Sequence, residues 1–312
     1  MSGRRVRVLF LGGLGRSGTT VLERVLGQLP GAVPLGEVVH LWQRDLLDGE
    51  RCGCGIPFRM CGFWQRVGRV GFGGWDSVDP HRLLRLKATV DRSRHVARLR
   101  GPRLHPDHYD AVREYTSHYQ RLYEAAAEVT GGRLVIDSSK HPSLAYCLRW
   151  APEIDLRVVH VVRDSRGVAY SWTRTVPRPE ADGEHMTRYH PARAALLWNL
   201  HNRALDGLTR YGVPVRRIRY EDFTNDPVAV TKELAEFAGL QSGDLDFLGS
   251  DDNGDYAELT THHSAAGNPM RFRTGRIPLR PDEAWRTGLP PLRRKLVGAL
   301  TGSLLRSYGY RR

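Results

Sequence analysis

The chain has 312 residues, a formal charge of +13, 26% charged residues and 40% hydrophobic residues. That balance excludes a disordered chain, and the length allows a sizeable core without disulfide or metal staples. The positive excess calls for anionic partners, and its even spread, with no run of five basic residues, suits a nucleotide cleft better than a polybasic tail.

Taken in order, Val6-Arg7-Val8-Leu9-Phe10-Leu11 is strand-sized and lacks the length of a secretory core. No stretch approaches the ~18 apolar residues of a membrane span, so a cytoplasmic protein is expected. A strand over 6–12 leads through a glycine-rich turn to a helix over 18–29, with Val21, Leu22, Val25, Leu26 and Leu29 on one face. Pro30 ends it. Residues 40–75, rich in Gly, Cys, Arg and aromatics, read as irregular. Cys52, Cys54 and Cys61 form a C-x-C-x6-C cluster without the second pair of a zinc site, and Cys147 stands apart. Ordinary thiols and no metal are expected. Helical spacing covers 80–100 and 107–130, with Gly101-Pro102 between them. Strands follow at 133–137 and 156–162, helices at 165–174 and 192–211, a strand at 215–219 and a helix at 228–238. The tail from 250 is loop-rich, with a last helix near 290–306. The alternation predicts an α/β fold: one domain over 1–312, its mostly parallel sheet covered by helices on both faces. Residues 40–130 are the expected lid and acceptor wall.

Two segments carry phosphate chemistry. Gly12-Gly13-Leu14-Gly15-Arg16-Ser17-Gly18-Thr19-Thr20 lies between the first strand and helix, where backbone N–H groups and the helix dipole favour an anion. It has the length of a Walker loop, but Thr19 replaces the lysine. Arg16 offers the compensating charge. The second segment follows the third strand, with Arg163 at the strand end and Ser171 eight residues later on the next helix. A guanidinium suits phosphate because it donates parallel N–H bonds at fixed geometry. The two segments offer two phosphate sites on one sheet.

Gly15-Arg16-Ser17-Gly18-Thr19-Thr20 resembles the 5′-phosphosulfate loop of sulfotransferases that use 3′-phosphoadenosine-5′-phosphosulfate (PAPS). Arg163 with Ser171 resembles that family's 3′-phosphate motif. The resemblance implies a P-loop-type sheet and PAPS as co-substrate, with no metal required. It further implies Tyr220 near the adenine, Arg271 as a second 3′-phosphate ligand, and Lys140 at the sulfonate and leaving oxygen. Glu37, in Pro34-Leu35-Gly36-Glu37, matches the base of tyrosylprotein-type members, whereas many small-molecule members use a histidine. His40, His105 and His141 are therefore rivals. The expected activity is sulfuryl transfer to a hydroxyl of a small molecule or glycan. The alternative is a P-loop kinase with magnesium and Asp137 as base or metal ligand. A nucleic-acid partner is not expected, because Trp42, Trp64, Trp75 and Trp172 are scattered rather than interleaved with basic residues. Acceptor identity and oligomeric state are open.

Overall fold

The structure, a computed structural model, describes residues 5–178, 185–252 and 254–310. Strand β1 (Val6–Gly12) runs into helix α1 (Thr19–Leu26), and the short strand β2 (Ala32–Pro34) follows. Then come helices α2 (Gly62–Phe72), α3 (Pro80–Val90), α4 (Val96–Leu99) and the long α5 (Pro106–Thr130). The chain continues through β3 (Leu134–Lys140), α6 (Pro142–Leu148), β4 (Ile154–Val162), α7 (Ser165–Thr173) and α8 (Pro191–Gly207). Next are β5 (Val215–Arg219), α9 (Tyr220–Asn225) and α10 (Pro227–Ala238). Strands β6 (Leu248–Asp251), β7 (Gly254–Leu259) and β8 (Gly275–Pro278), and helices α11 (Trp285–Gly288) and α12 (Pro291–Ser307), complete it.

The main sheet has the order β2-β3-β1-β4-β5 with every neighbour parallel. Its central strands are buried on both faces, which is why Val8–Leu11 reads as a continuous apolar run and Val158–Val162 as a β-branched one broken only by the buried His160. One core lies between the sheet and the 40–130 helices; a second lies between the sheet, α1 and α10.

Two expectations are corrected. Residues 40–75 are not irregular: a wide π turn covers Leu41–Asp45, short 3-10 turns follow, and α2 buries Phe63, Trp64, Val67 and Phe72. Glycine hid this helix. Gly68 sits inside it because a Cβ there would lie 2.5 Å from Trp75 Nε1, so close packing outweighs low helix propensity. Much of 40–130 is packed into the core by its aromatic residues. Tyr115 and Tyr119 share a hydroxyl contact of 3.0 Å, Trp42 donates to Tyr119, and Tyr123 donates to Asp137 on β3. The tail from 250 holds more than loop: β6, β7 and β8 form an antiparallel sheet.

Candidate active site

In a parallel sheet the carboxyl ends of all strands share one edge, where ligands of open α/β folds gather. The glycine-rich turn, Glu37, Lys140, Arg163 and Tyr220 all follow or end strands at that edge.

The turn after β1 is held by its neighbours. Arg163 Nη1 donates to the Arg16 carbonyl at 2.9 Å, and Trp172 Nε1 donates to the Gly15 carbonyl at 2.9 Å. Gly18 caps α1 at φ 87°, and a Cβ there would lie 2.2 Å from the Tyr220 ring, so only glycine fits. Arg16 also takes the left-handed region, at φ 76°. Its guanidinium lies 5.3 Å from the Trp172 ring centroid, and burial lowers its pKa. Arg16 Nε and Nη2 and Thr19 Oγ1 are buried without a hydrogen-bond partner among the described residues. Buried donors of this kind need an acceptor, and a phosphate or sulfonate at a helix N-terminus supplies several. Ser17 is buried, while Gly15 and Thr20 are half-buried.

Arg163, 7% exposed, extends from the end of β4. One arm reaches Arg16; the other bonds Asp282 Oδ2 at 2.8 Å. Its guanidinium stacks 5.3 Å from the Tyr220 ring centroid. It also lies over Gly167, where a Cβ would be 3.5 Å from its Nε. Ser171 is four residues on along α7, hence on the same helix face.

Glu37 follows β2, and its Oε1 makes a short ion pair with Lys140 Nζ, both side chains being largely buried. Burial pushes the Glu37 carboxyl up, but the charge and hydrogen bond of Lys140, helped by Arg44 and His141, bring it below its ordinary value. Lys140 is the last residue of β3, at φ 69°. His40 Nε2 lies 3.8 Å from Glu37 Oε2, and the His40 and His141 rings meet edge to face at 5.6 Å. Burial lowers both imidazoles, His141 to about 4. His105 is exposed at the start of α5, its ring 6.4 Å from that of His108. Asp137 is fully buried and accepts from Tyr123 Oη at 2.6 Å and Ser139 N at 2.7 Å.

Arg271 keeps different company. It is 1% exposed, donates to the Gly267 and Arg51 carbonyls at 3.0 Å each, and lies 3.7 Å from Glu50. Its charge serves the buried Asp45 and Glu50 carboxylates.

Sequence reading missed Trp172, which clamps the turn although it adjoins Ser171, and Asp282. It also missed Glu23, a carboxylate on the buried face of α1. Glu23 accepts from Gly36 N at 2.5 Å and Ser138 Oγ at 2.7 Å, tying α1 to the residue before Glu37 and to β3. Burial raises it to about 7. Below the ordinary value of 4.5 it is protonated folded and unfolded. Above that it ionises first in the unfolded chain, so its contribution to stability is lost as pH rises to about 7. Asp45 and Asp137, raised to about 7 and about 6, act in the same direction. Glu23→Gln keeps the acceptor for Gly36 N and turns the second bond round, its Nε2 donating to Ser138 Oγ, and is expected to remove roughly 2–3 kcal/mol of that pH-dependent loss. Urea unfolding at pH 5 and pH 8 measures it; equal pH dependence in variant and parent would refute the assignment.

A parallel sheet thus carries at one edge a glycine-rich turn after β1, an arginine after β4 and a carboxylate–lysine pair after β2 and β3, the elements of an anion-binding α/β site. The chain belongs to the sulfotransferase family, whose model matches residues 9–244. It is 32% identical over 191 residues to carbohydrate sulfotransferase 5 of Mus musculus, a match covering 53% of this chain and 44% of that protein. The chain thus aligns with less than half of that relative. Among solved structures, the sulfotransferase domain of the curacin biosynthetic pathway is 16% identical and covers 98% of this chain and 99% of that one, with a TM-score of 0.51. The sulfotransferase domain of the Synechococcus PCC 7002 olefin synthase is 20% identical, covering 96% and 97%, with a TM-score of 0.48. Among the described residues, no helix is long and apolar enough to cross a membrane.

Proposed function

We propose that the chain transfers a sulfuryl group from PAPS to a hydroxyl of a small-molecule or glycan acceptor, with Glu37 as general base. The observation that carries this reading is the join between two anion-binding groups. The unpartnered donors of Arg16 and Thr19 lie in the turn whose carbonyl is held by Arg163. Residues 15–20 then receive the 5′-phosphosulfate, Arg163 and Ser171 the 3′-phosphate, and Tyr220 the adenine. Arg271, the second 3′-phosphate ligand that the resemblance implies, is engaged here with Glu50 and two carbonyls and would reach the nucleotide only by leaving some of them. The name of the mouse relative supports the glycan side of the acceptor class.

In the reaction the acceptor oxygen attacks sulfur in line, its proton passes to Glu37, and the bond from sulfur to the bridging oxygen breaks. Arg16 and Lys140 stabilise the charge arriving on that oxygen, so the step needs no metal. The kinase alternative is disfavoured, because Asp137 is fully buried and bonded to Tyr123 and Ser139, and Thr19 stands where a phosphate lysine would be.

Calorimetry with 3′-phosphoadenosine 5′-phosphate, adenosine 5′-phosphate and ATP–magnesium tests the donor. The bisphosphate is expected to bind without magnesium. Arg163→Ala should weaken it about 10²-fold, the cost of one charge-assisted phosphate contact, and leave the monophosphate little changed. Equal losses for both nucleotides would make Arg163 a support for the turn rather than a 3′-phosphate ligand. Binding of ATP–magnesium alone would overturn the sulfotransferase mechanism.

A further inference from the structure

Away from the strand ends, the fold gathers another group of ligating side chains. Cys52 and Cys54 lie in the turn before α2, Cys61 immediately precedes that helix, and His263 lies between β7 and β8. Their four ligand atoms are within 4.8 Å of one another. Cys54 and Cys61 sulfurs are 3.8 Å apart, and His263 Nδ1 is 3.6 Å from Cys52 Sγ and 3.3 Å from Cys61 Sγ. With zinc–sulfur bonds of about 2.3 Å and zinc–nitrogen bonds of about 2.0 Å, a tetrahedron has edges of about 3.8 Å between sulfurs and about 3.5 Å from sulfur to nitrogen. These three separations lie within about 0.2 Å of those edges, and the other three are bounded by 4.8 Å.

We propose that Cys52, Cys54, Cys61 and His263 form a structural zinc site. The cluster is prepared for it. The backbone brings Cys52 and Cys54 into one tight turn, closed by Gly55 N donating to Cys52 O at 2.8 Å and Cys52 N donating to Ile56 O at 2.9 Å. The His263 ring stacks on Phe63 at 5.1 Å with 14° between planes, which holds Nδ1 toward the sulfurs. Cys52 and Cys61 are buried. Three thiolates and one imidazole complete the tetrahedron, leaving no position for a substrate or water, as in structural rather than catalytic centres. A disulfide has a bond of about 2.05 Å and would join only two of the three thiols. The C-x-C-x6-C spacing reads as incomplete in sequence because its fourth ligand arrives from the far end of the chain.

The site also explains a contact at the active edge. It clips the 52–61 segment to the strip after β7, where Gly53 N donates to Ser264 O at 2.9 Å. The next residue of that strip, Ala265, accepts from Glu37 N at 3.1 Å and donates to Leu35 O at 2.7 Å. Zinc would thus brace the segment from which Glu37 hangs. This bracing role rests on Glu37 being the base; metal binding itself does not.

Elemental analysis of the full 312-residue chain, purified without a metal-affinity step and dialysed against zinc, is expected to find one zinc per chain. X-ray absorption should show three sulfur ligands and one nitrogen. Cys54→Ser should bring bound zinc to near zero while leaving calorimetric binding of the bisphosphate within about 3-fold, since no donor-site residue is touched. Should that variant not fold, cobalt on the parent chain decides instead: thiolate-to-cobalt charge-transfer bands and the d–d spectrum of a tetrahedral centre support the site. Negligible zinc after dialysis, a Cys54–Cys61 disulfide by mass spectrometry, or three thiols equally reactive with and without zinc would overturn it.

Discussion

Glu37→Gln is expected to lower kcat by about 10²–10⁴-fold, the range for removing a positioned general base, and to change bisphosphate affinity by less than about 2-fold. The substitution keeps the shape of the side chain and a hydrogen-bond acceptor while removing its basicity. Its specificity as a test comes from the histidines nearby. His40 and His141 are pushed well below the ordinary imidazole value, so either would be neutral at pH 7 and available as a base. A pH profile of the parent enzyme alone cannot separate them from Glu37, which is also held low. The variants can. If the base is Glu37, then His40→Asn and His141→Asn should retain turnover within about 10-fold, as residues that shape the pocket. A collapse in His141→Asn with turnover surviving in Glu37→Gln would move the proton to the imidazole.

What was legible in sequence follows from how local each feature is. The 15–20 turn is a continuous run whose glycines and hydroxyls act within one strand–turn–helix unit, so its place could be read directly. Arg163 and Ser171 are likewise joined by one strand end and one helix. Lys140 and His141 were legible as residues just after a strand and Glu37 through the family resemblance, but the short ion pair between Glu37 and Lys140 was not. It depends on β2 and β3 being neighbours in the sheet, and β2, a three-residue edge strand, carries too little pattern to announce itself. Arg271 shows the converse. The resemblance implies an anion ligand there, and the fold also packs its segment against 45–51, where buried Asp45 and Glu50 need a cation. Nothing within either segment signals that meeting. His263 was missed for the same reason, its cysteine partners being distant in the chain. Glu23 left one trace, an acidic residue among apolar ones on a helix face, which is the pattern of a buried carboxylate with dedicated donors.

Lys140→Met should do two things at once, and their combination is the stronger test of the mechanism. The first is a fall in kcat of about 10²–10³-fold, the usual cost of losing one group that stabilises charge on a leaving oxygen. Methionine retains the length and packing of the lysine stem, and a non-glycine residue already occupies the left-handed position at 140, so the fold should tolerate the change. The second effect concerns Glu37. Its carboxyl is pushed up by burial and brought below the ordinary value chiefly by Lys140. Without the ammonium, burial prevails and the Glu37 pKa rises. The base must be ionised to accept a proton, so activity is lost as pH falls through that value. In the parent enzyme the acid limb of kcat/KM should therefore lie below the ordinary carboxylate range; in Lys140→Met it should move to higher pH. Lys140→Arg, which restores a positive charge with different reach, should return the limb toward acid pH more fully than it returns kcat, because charge acts over distance while leaving-group contact needs position. A slower Lys140→Met enzyme with an unmoved acid limb would keep Lys140 as a leaving-group cation but remove Glu37 from the proton's path. A moved limb with undiminished kcat would reverse the two assignments, making Lys140 a partner that tunes the base and leaving the departing oxygen to Arg16.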